Sequence, residues 1–213
     1  INPIGDEYIN PSGTLNITEQ GTFNVRDKEY ANVNISNMWT NVGYSDTPQA
    51  IMNMYNHTKE LYDAYDTSWT SLKDKYRNDK SLYVFPIVDT SNITTMSGAF
   101  YGCSNLTEIP LLNTNKCEGF ATTFYGCTNL KNVPIFDTSK NNNWTNTFNN
   151  CTNLTDDSLN NILKMCINTP ITYSTTAKTL YALGFRSSNY PASRIQALSN
   201  YTAFTTAGWS IGY

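Results

Sequence analysis

An α/β solenoid of 24-residue coils, with a small β unit before it and helical caps at both ends, is the fold class predicted by this 213-residue sequence. Three observations predict it. First, Leu82, Leu106, Leu130 and Leu154 recur every 24 positions, and Pro86/Pro110/Pro134, Thr90/Thr114/Thr138, Phe100/Phe124/Phe148, Cys103/Cys127/Cys151 and Asn105/Asn129/Asn153 keep the same register. A period in the twenties marks units too small to bury their apolar side alone, which must stack on neighbours. Second, residues 13–35 alternate apolar and polar around a Gly-containing turn. Third, after Leu154 the apolar spacing becomes helical.

Composition narrows the classes. At 39% hydrophobic and 13% aromatic the chain can bury a real core. No apolar run approaches the roughly 18 residues of a membrane span, and residues 1–10 lack the basic-then-apolar pattern of a signal peptide. A net charge of −3 with scattered lysines provides no basic stripe, so neither nucleic acid nor membrane insertion is expected. Charged residues make up only 15% of a chain rich in Asn, Thr, Ser and Tyr, a surface common outside the cytoplasm.

The N-terminal unit is assigned to residues 1–36. Leu15/Ile17 and Phe23/Val25 flank the turn at Gly21, and residues 31–35 alternate as a third strand. Residues 37–81 form a linker with Trp39, a capping helix and a degraded repeat. Ser45-Asp46-Thr47-Pro48 reads as a helix start, and Ile51, Met54, Tyr55, Thr58, Leu61, Tyr62 and Tyr65 continue down one side. His57 lies off that stripe and is expected to be solvated. Residues 66–82 repeat the later coils with Asp79 in the Cys place and four cations, as suits a water-facing end of a stack.

The full repeats occupy residues 82–154. Each opens with Leu-x-x-(Phe/Ile/Val)-Pro, read as a strand. Asp89-Thr90, Asn113-Thr114 and Asp137-Thr138 then turn the chain through side-chain-to-backbone bonds. Met96/Phe100, Phe120/Phe124 and Trp144/Phe148, four apart, present one face of a short helical turn to the interior. Gly102, Gly126 and Asn150 close the coil, where a positive φ is needed. In the third coil Asn141-Asn142-Asn143 replaces the apolar residue seen as Ile93. Residues 155–213 are assigned to a helical cap: 156–168 with Thr155 as its N-cap, then 175–183 ending at Gly184, 191–198 and 202–207.

Two stretches carry resemblances. The phrase GTLNITEQGTFNVRDKEYANVNI, residues 13–35, resembles a module of tail, baseplate and other virion-associated proteins of phages and prophages of Gram-positive bacteria. The repeat Cys-(Ser/Thr)-Asn-Leu-x-x-(Ile/Val)-Pro-x-x-(Asp/Asn)-Thr, with Phe-Tyr-Gly-Cys, resembles the BspA-like leucine-rich repeats of bacterial surface proteins. Residues 89–100 are similar to the DTSN-type phrase of that family. The resemblance implies a leucine-rich-repeat solenoid and an attachment role.

The chemistry expected is binding without catalysis. The sequence holds no G-x-S-x-G, P-loop or H-E-x-x-H, and its single His has no evident Cys partner. Asp89 and Asp137 are the nearest thing to a glycosidase pair, but two coils would separate them by around 10 Å. Their repeat position already explains them as turn formers. Five cysteines is an odd count. Three of them point the same way on a ladder, poor geometry for disulfides, and none forms a close zinc-type pair. No metal, cofactor or catalytic residue is therefore assigned. Tyr83, Thr107, Glu108 and Lys131, at variable strand positions, and Tyr101 and Tyr125 on the opposite edge form the expected binding surface, Tyr combining an apolar face with a polar tip. The expected protein is a virion component in the particle or at the cell surface. It would touch other virion proteins and a host surface protein or glycan, with homo-oligomers possible. A bacterial surface adhesin and a structural spacer are the alternatives.

Overall fold

The structure, a computed structural model, describes residues 15–17, 22–25, 33–34, 48–170, 178–180 and 182–212. Near the N-terminus, β1 (Leu15–Ile17), β2 (Thr22–Val25) and β3 (Val33–Asn34) form an antiparallel sheet in the order β1-β2-β3. Leu15 lies opposite Val25 and Thr22 opposite Asn34. The entry segment 1–8, the Trp39 linker and the proposed cap at 45–47 lie outside the described residues.

Helix α1 (Pro48–Ala64) precedes the repeats. Met54 and Thr58 are buried on it, and Leu61 packs against the core. His57 is not a solvated side chain. Its Nε2 lies 2.8 Å from Asp79 Oδ2 and both residues are half-buried, so the pair ties α1 to the degraded coil. The Asp in the Cys place thus has a structural partner that the spacing alone did not show.

In the repeats, backbone N–H groups alternate in direction. Leu72, Asp74, Tyr76 and Asn78 donate to the carbonyls of Thr95, Ser97, Ala99 and Tyr101 in the next coil at 2.6–3.1 Å. Between them, Lys75, Arg77 and Asp79 close back on carbonyls three residues earlier. The same scheme joins 96–102 to 119–125 and 120–126 to 143–149. Two rows have positive φ in every coil: Asp74, Gly98, Thr122 and Asn146, and Asn78, Gly102, Asn150 and Gly126. An α-helix would satisfy its N–H groups within the segment and a strand would satisfy none there. These runs do half of each, so they are stacked turns.

That finding overturns the expected α/β leucine-rich-repeat solenoid. The described repeat region contains no strand and no sheet; neighbouring coils meet in single parallel bridges, Ser71↔Thr95↔Gly119↔Asn143 and Val84↔Glu108↔Asn132. The run read as a strand stops at one bridge because Pro86, Pro110 and Pro134 follow two residues later and offer no N–H. The pair four apart read as a helical turn sits instead on two successive tight turns. The observed architecture is a turn-built stack flanked by helices.

The period does place the core. Phe100, Phe124 and Phe148 are fully buried and stack at 5.6 Å between successive centroids. Tyr76 extends the column at one end and Phe185 at the other. Cys103, Cys127 and Cys151 are free buried thiols whose Sγ atoms donate to the Tyr76, Phe100 and Phe124 carbonyls at 3.0, 3.1 and 3.0 Å. Thr90, Thr114 and Thr138 likewise donate across coils to Asn113, Asp137 and Met165 carbonyls. The Tyr76, Phe100 and Phe124 carbonyls also accept the N–H groups of Asp79, Cys103 and Cys127, so each thiol adds a second bond, one that crosses between coils.

Past the third coil, α2 (Asp156–Asn168) packs on the stack. Thr155 caps it, its Oγ1 accepting from Ser158 N–H at 3.2 Å, with Asp156 and Asp157 in the first turn. The helix expected over 175–183 is corrected where it is described. Thr179 makes a parallel bridge to Ser210, residues 182–184 are a turn, and Ala182 and Leu183 carbonyls accept from Asn146 and Phe148 N–H. Two short helices follow, α3 (Ala192–Gln196) and α4 (Tyr201–Thr206).

Candidate binding surfaces

The expected surface residues separate into three environments. Thr107 is not on the surface: it is fully buried and its Oγ1 donates to Tyr83 C=O at 3.1 Å, a ladder bond. Tyr83 and Lys131 are half-buried, and each offers its carbonyl to the Thr of the next coil, Thr107 and Thr155. Glu108 is half-buried too and receives Asn132 Nδ2 at 2.6 Å. Burial pushes its carboxyl pKa above the usual range, opposed by the Asn132 bond and the nearby Lys131 charge. Glu108, Lys131 and Asn132 therefore form a self-satisfied polar patch.

On the opposite edge Tyr101 and Tyr125 are half-buried and lie face to face, with centroids 4.6 Å apart and planes within 2°. The Arg77 guanidinium covers the other face of Tyr101 at 3.8 Å. Three ring faces out of four are consumed within the chain, leaving mainly edges and hydroxyls for a ligand. The sequence shows the 24-residue spacing that brings these rings together; it does not show that they spend their faces on each other.

Asp89 and Asp137 serve as turn formers. Their Oδ1 atoms accept from Ser91 and Ser139 N–H at 2.9 Å, Asn113 does the same for Asn115 at 3.3 Å, and Asp66 for Ser68. These serine bonds hold all three carboxyl pKa values below the ordinary range. Among the described residues no group of His, Cys, Asp and Glu is placed to hold a metal ion, and no helix is long and apolar enough to cross a membrane.

One concavity was not among the expected sites. A groove of about 750 Å³ runs between the end of α1 and the edge of the first two full coils, within the size range of ligand sites. Tyr62 and Asp63 at the end of α1, with Tyr65 just past it, form one wall; Ile87, Asp89 and Leu111 are on the facing wall. Leu111 is 66% exposed, and its row mate Ile135 is 44% exposed, so an apolar row continues out of the groove along the stack. Tyr65 Oη is buried without a hydrogen-bond partner among the described residues. Burial, then the charges of Asp89 and Asp66, pushes the Tyr65 pKa up to about 12. The signal that could have found this site is the residue after each Pro, namely Ile87, Leu111 and Ile135, which is apolar yet faces away from the core.

Residues 70–169 match the family model described as "Mycoplasma protein of unknown function, DUF285". The match runs from the degraded coil through α2, and the chain is similar to that family over this stretch. No curated protein and no solved structure matches the chain.

Proposed function

We propose that this chain is a non-enzymatic attachment protein of a phage or prophage particle, in which the turn-built stack displays a binding face and the N-terminal unit links it to other virion proteins. The observation that carries the binding reading is the exposed apolar row, Leu111 and Ile135, running into a groove beside carboxylates held ionised by their own turns. Exposed aliphatic side chains cost solubility, and a continuous apolar patch leading into a concavity is typical of an interaction site. The resemblance of residues 13–35 to virion-associated modules supports the location. Partners under this reading are other virion proteins and a host surface molecule.

A second reading is a bacterial cell-surface adhesin. It is favoured by the repeat's resemblance to surface-protein repeats. Quantifying the chain by mass spectrometry in purified particles and in host envelope fractions separates the two. Recovery with particles supports the virion reading. Recovery only in the envelope fraction refutes it and supports the adhesin.

A further inference from the structure

We propose that the groove between α1 and the first two full coils receives a basic side chain, Lys or Arg, carried on an extended apolar segment of a partner protein. The inference rests on the binding reading above and names the chemistry of its site.

The charge at the groove is acidic: among the described residues its charged lining groups are Asp63 and Asp89, and no cation lines it. Lys59 is already paired with Asp63 one helical turn away. Lys116, the cation acting on Asp89, has its Nζ on Asn92 Oδ1 at 3.1 Å. Asp66 stands close enough to act on Tyr65. Asp89 therefore presents an exposed carboxylate that forms its turn with Ser91 and has no ion pair among the described residues, with Asp66 reinforcing the field.

The walls add a second requirement. Tyr62 is 36% exposed and Leu111 66%, and Ile87 and Val88 are half-buried beside them. A lone metal ion or a small anion would leave these surfaces wet. A lysine or arginine lays its aliphatic stem on Leu111 and Ile87 while its head reaches the carboxylates. Tyrosine walls also favour an organic cation over its hydrated small-ion competitors. Apolar residues flanking that side chain would then follow the row toward Ile135. A second copy of the chain is a weaker occupant, because the same face carries carboxylates on both copies.

Fluorescence anisotropy on the full chain tests this, using a labelled acetyl-Leu-Lys-Leu-Lys-Leu peptide, its Glu counterpart and an N-acetylglucosamine tetramer as competitor. Asp89→Asn is the decisive variant. Asn113 builds the same turn in the next coil, so the variant keeps its fold and loses the charge. Asp137→Asn makes the identical change on the same row outside the groove. The expected result is saturable binding of the Lys peptide alone. Asp89→Asn and Leu111→Ser should each weaken it about tenfold or more, and Asp137→Asn less than twofold. Absence of saturable binding, equal binding of the Glu peptide, equal effects of Asp89→Asn and Asp137→Asn, displacement by the sugar, or self-association through Leu111 would each overturn the proposal. The titration uses purified chain, so its failure leaves the particle-or-envelope result standing, and the reverse also holds.

Discussion

Asn141 is expected to be a correctable defect in the stack, and replacing it by Cys should stabilise the protein. Its row mates are Ile93 and Cys117, both buried, and Asn141 itself is fully buried. Its Oδ1 accepts from Asn143 N–H at 3.1 Å, but its Nδ2 has no partner among the described residues. Leaving a buried amide donor unpaired costs about 1–3 kcal/mol. Cys is close to Asn in size and already occupies the equivalent place in the coil above, so no cavity or overpacking is introduced. The change removes one bond to Asn143, whose residue is exposed and whose N–H water can serve, at a cost of about 0.5–1 kcal/mol. The net gain centres on about 1 kcal/mol, or roughly 2–4 °C in Tm for a chain of this size. Urea unfolding followed by near-ultraviolet circular dichroism should show a higher midpoint with an unchanged slope. Asn141→Asp, which puts a charge in the same place, should lose more than about 2 kcal/mol. A Cys variant with the same or a lower midpoint would refute the reasoning that the amide is held unpaired.

Other outcomes follow from the same geometry. Thr122 sits at φ 53° between Gly98 and Asn146 in its row, and a β-branched residue there is strained; Thr122→Asn should raise stability by about 0.5–1 kcal/mol in the same urea assay. Glu108 has a raised pKa in the folded state, so it favours folding while protonated. That contribution fades as pH rises from the ordinary Glu value through the raised one. Glu108→Gln, which keeps an acceptor for Asn132, should therefore be more stable than wild type at pH 7 and lose that advantage near pH 4. The Asp66, Asp89 and Asp137 carboxyls have the opposite sign: their support is present above the ordinary Asp value and is lost as pH falls through their lowered folded values. The variant with all three changed to Asn should show a shallower acid limb in unfolding at pH 5 to 2. All five cysteines are buried, and burial pushes the Cys117 thiol up to about 11 and Cys103 up to about 12. Iodoacetamide at pH 8 should label none of them in the native protein and all five in urea, read by intact mass.

What the chain reveals in advance is which residues are equivalent, and what it conceals is the direction of their backbone bonds. The period identifies the Phe column and the Cys ladder because apolar and thiol side chains have little choice but the interior. The Asp and Asn turn formers were also legible, since an Asx turn needs only local chain. The class of the fold was not. Leu-x-x-(Phe/Ile/Val)-Pro carries the β-branched and aromatic signal of a strand, and Met96 and Phe100, four apart, carry that of a helix. A proline two residues past the bridge cuts the first, and the left-handed row through Gly98, Thr122 and Asn146 cuts the second. Thr122 hides that row, because a Thr there argues against the conformation it adopts.

The same limit explains why Thr107 was placed on the surface. Variable positions were taken as exposed, yet Thr107 is fully buried, its N–H and its hydroxyl both donating to Tyr83 C=O, and Tyr101 recurs because each ring rests on the next. In a stack, recurrence along the axis can reflect contact between neighbours as readily as display to a partner. The discriminating residues are those that recur but cannot touch the interior or spend themselves on a row mate. Leu111 meets that condition: its row mates are aliphatic, it stands 66% exposed, and it faces Tyr62 and Tyr65 across open space. An aliphatic row adjacent to turn-forming carboxylates gains nothing for the fold by being apolar. Leu111→Ser should therefore change unfolding stability by less than about 0.5 kcal/mol, as at an ordinary surface position. A loss above about 1.5 kcal/mol in urea unfolding would assign Leu111 to the core and remove the groove's claim to be a binding surface.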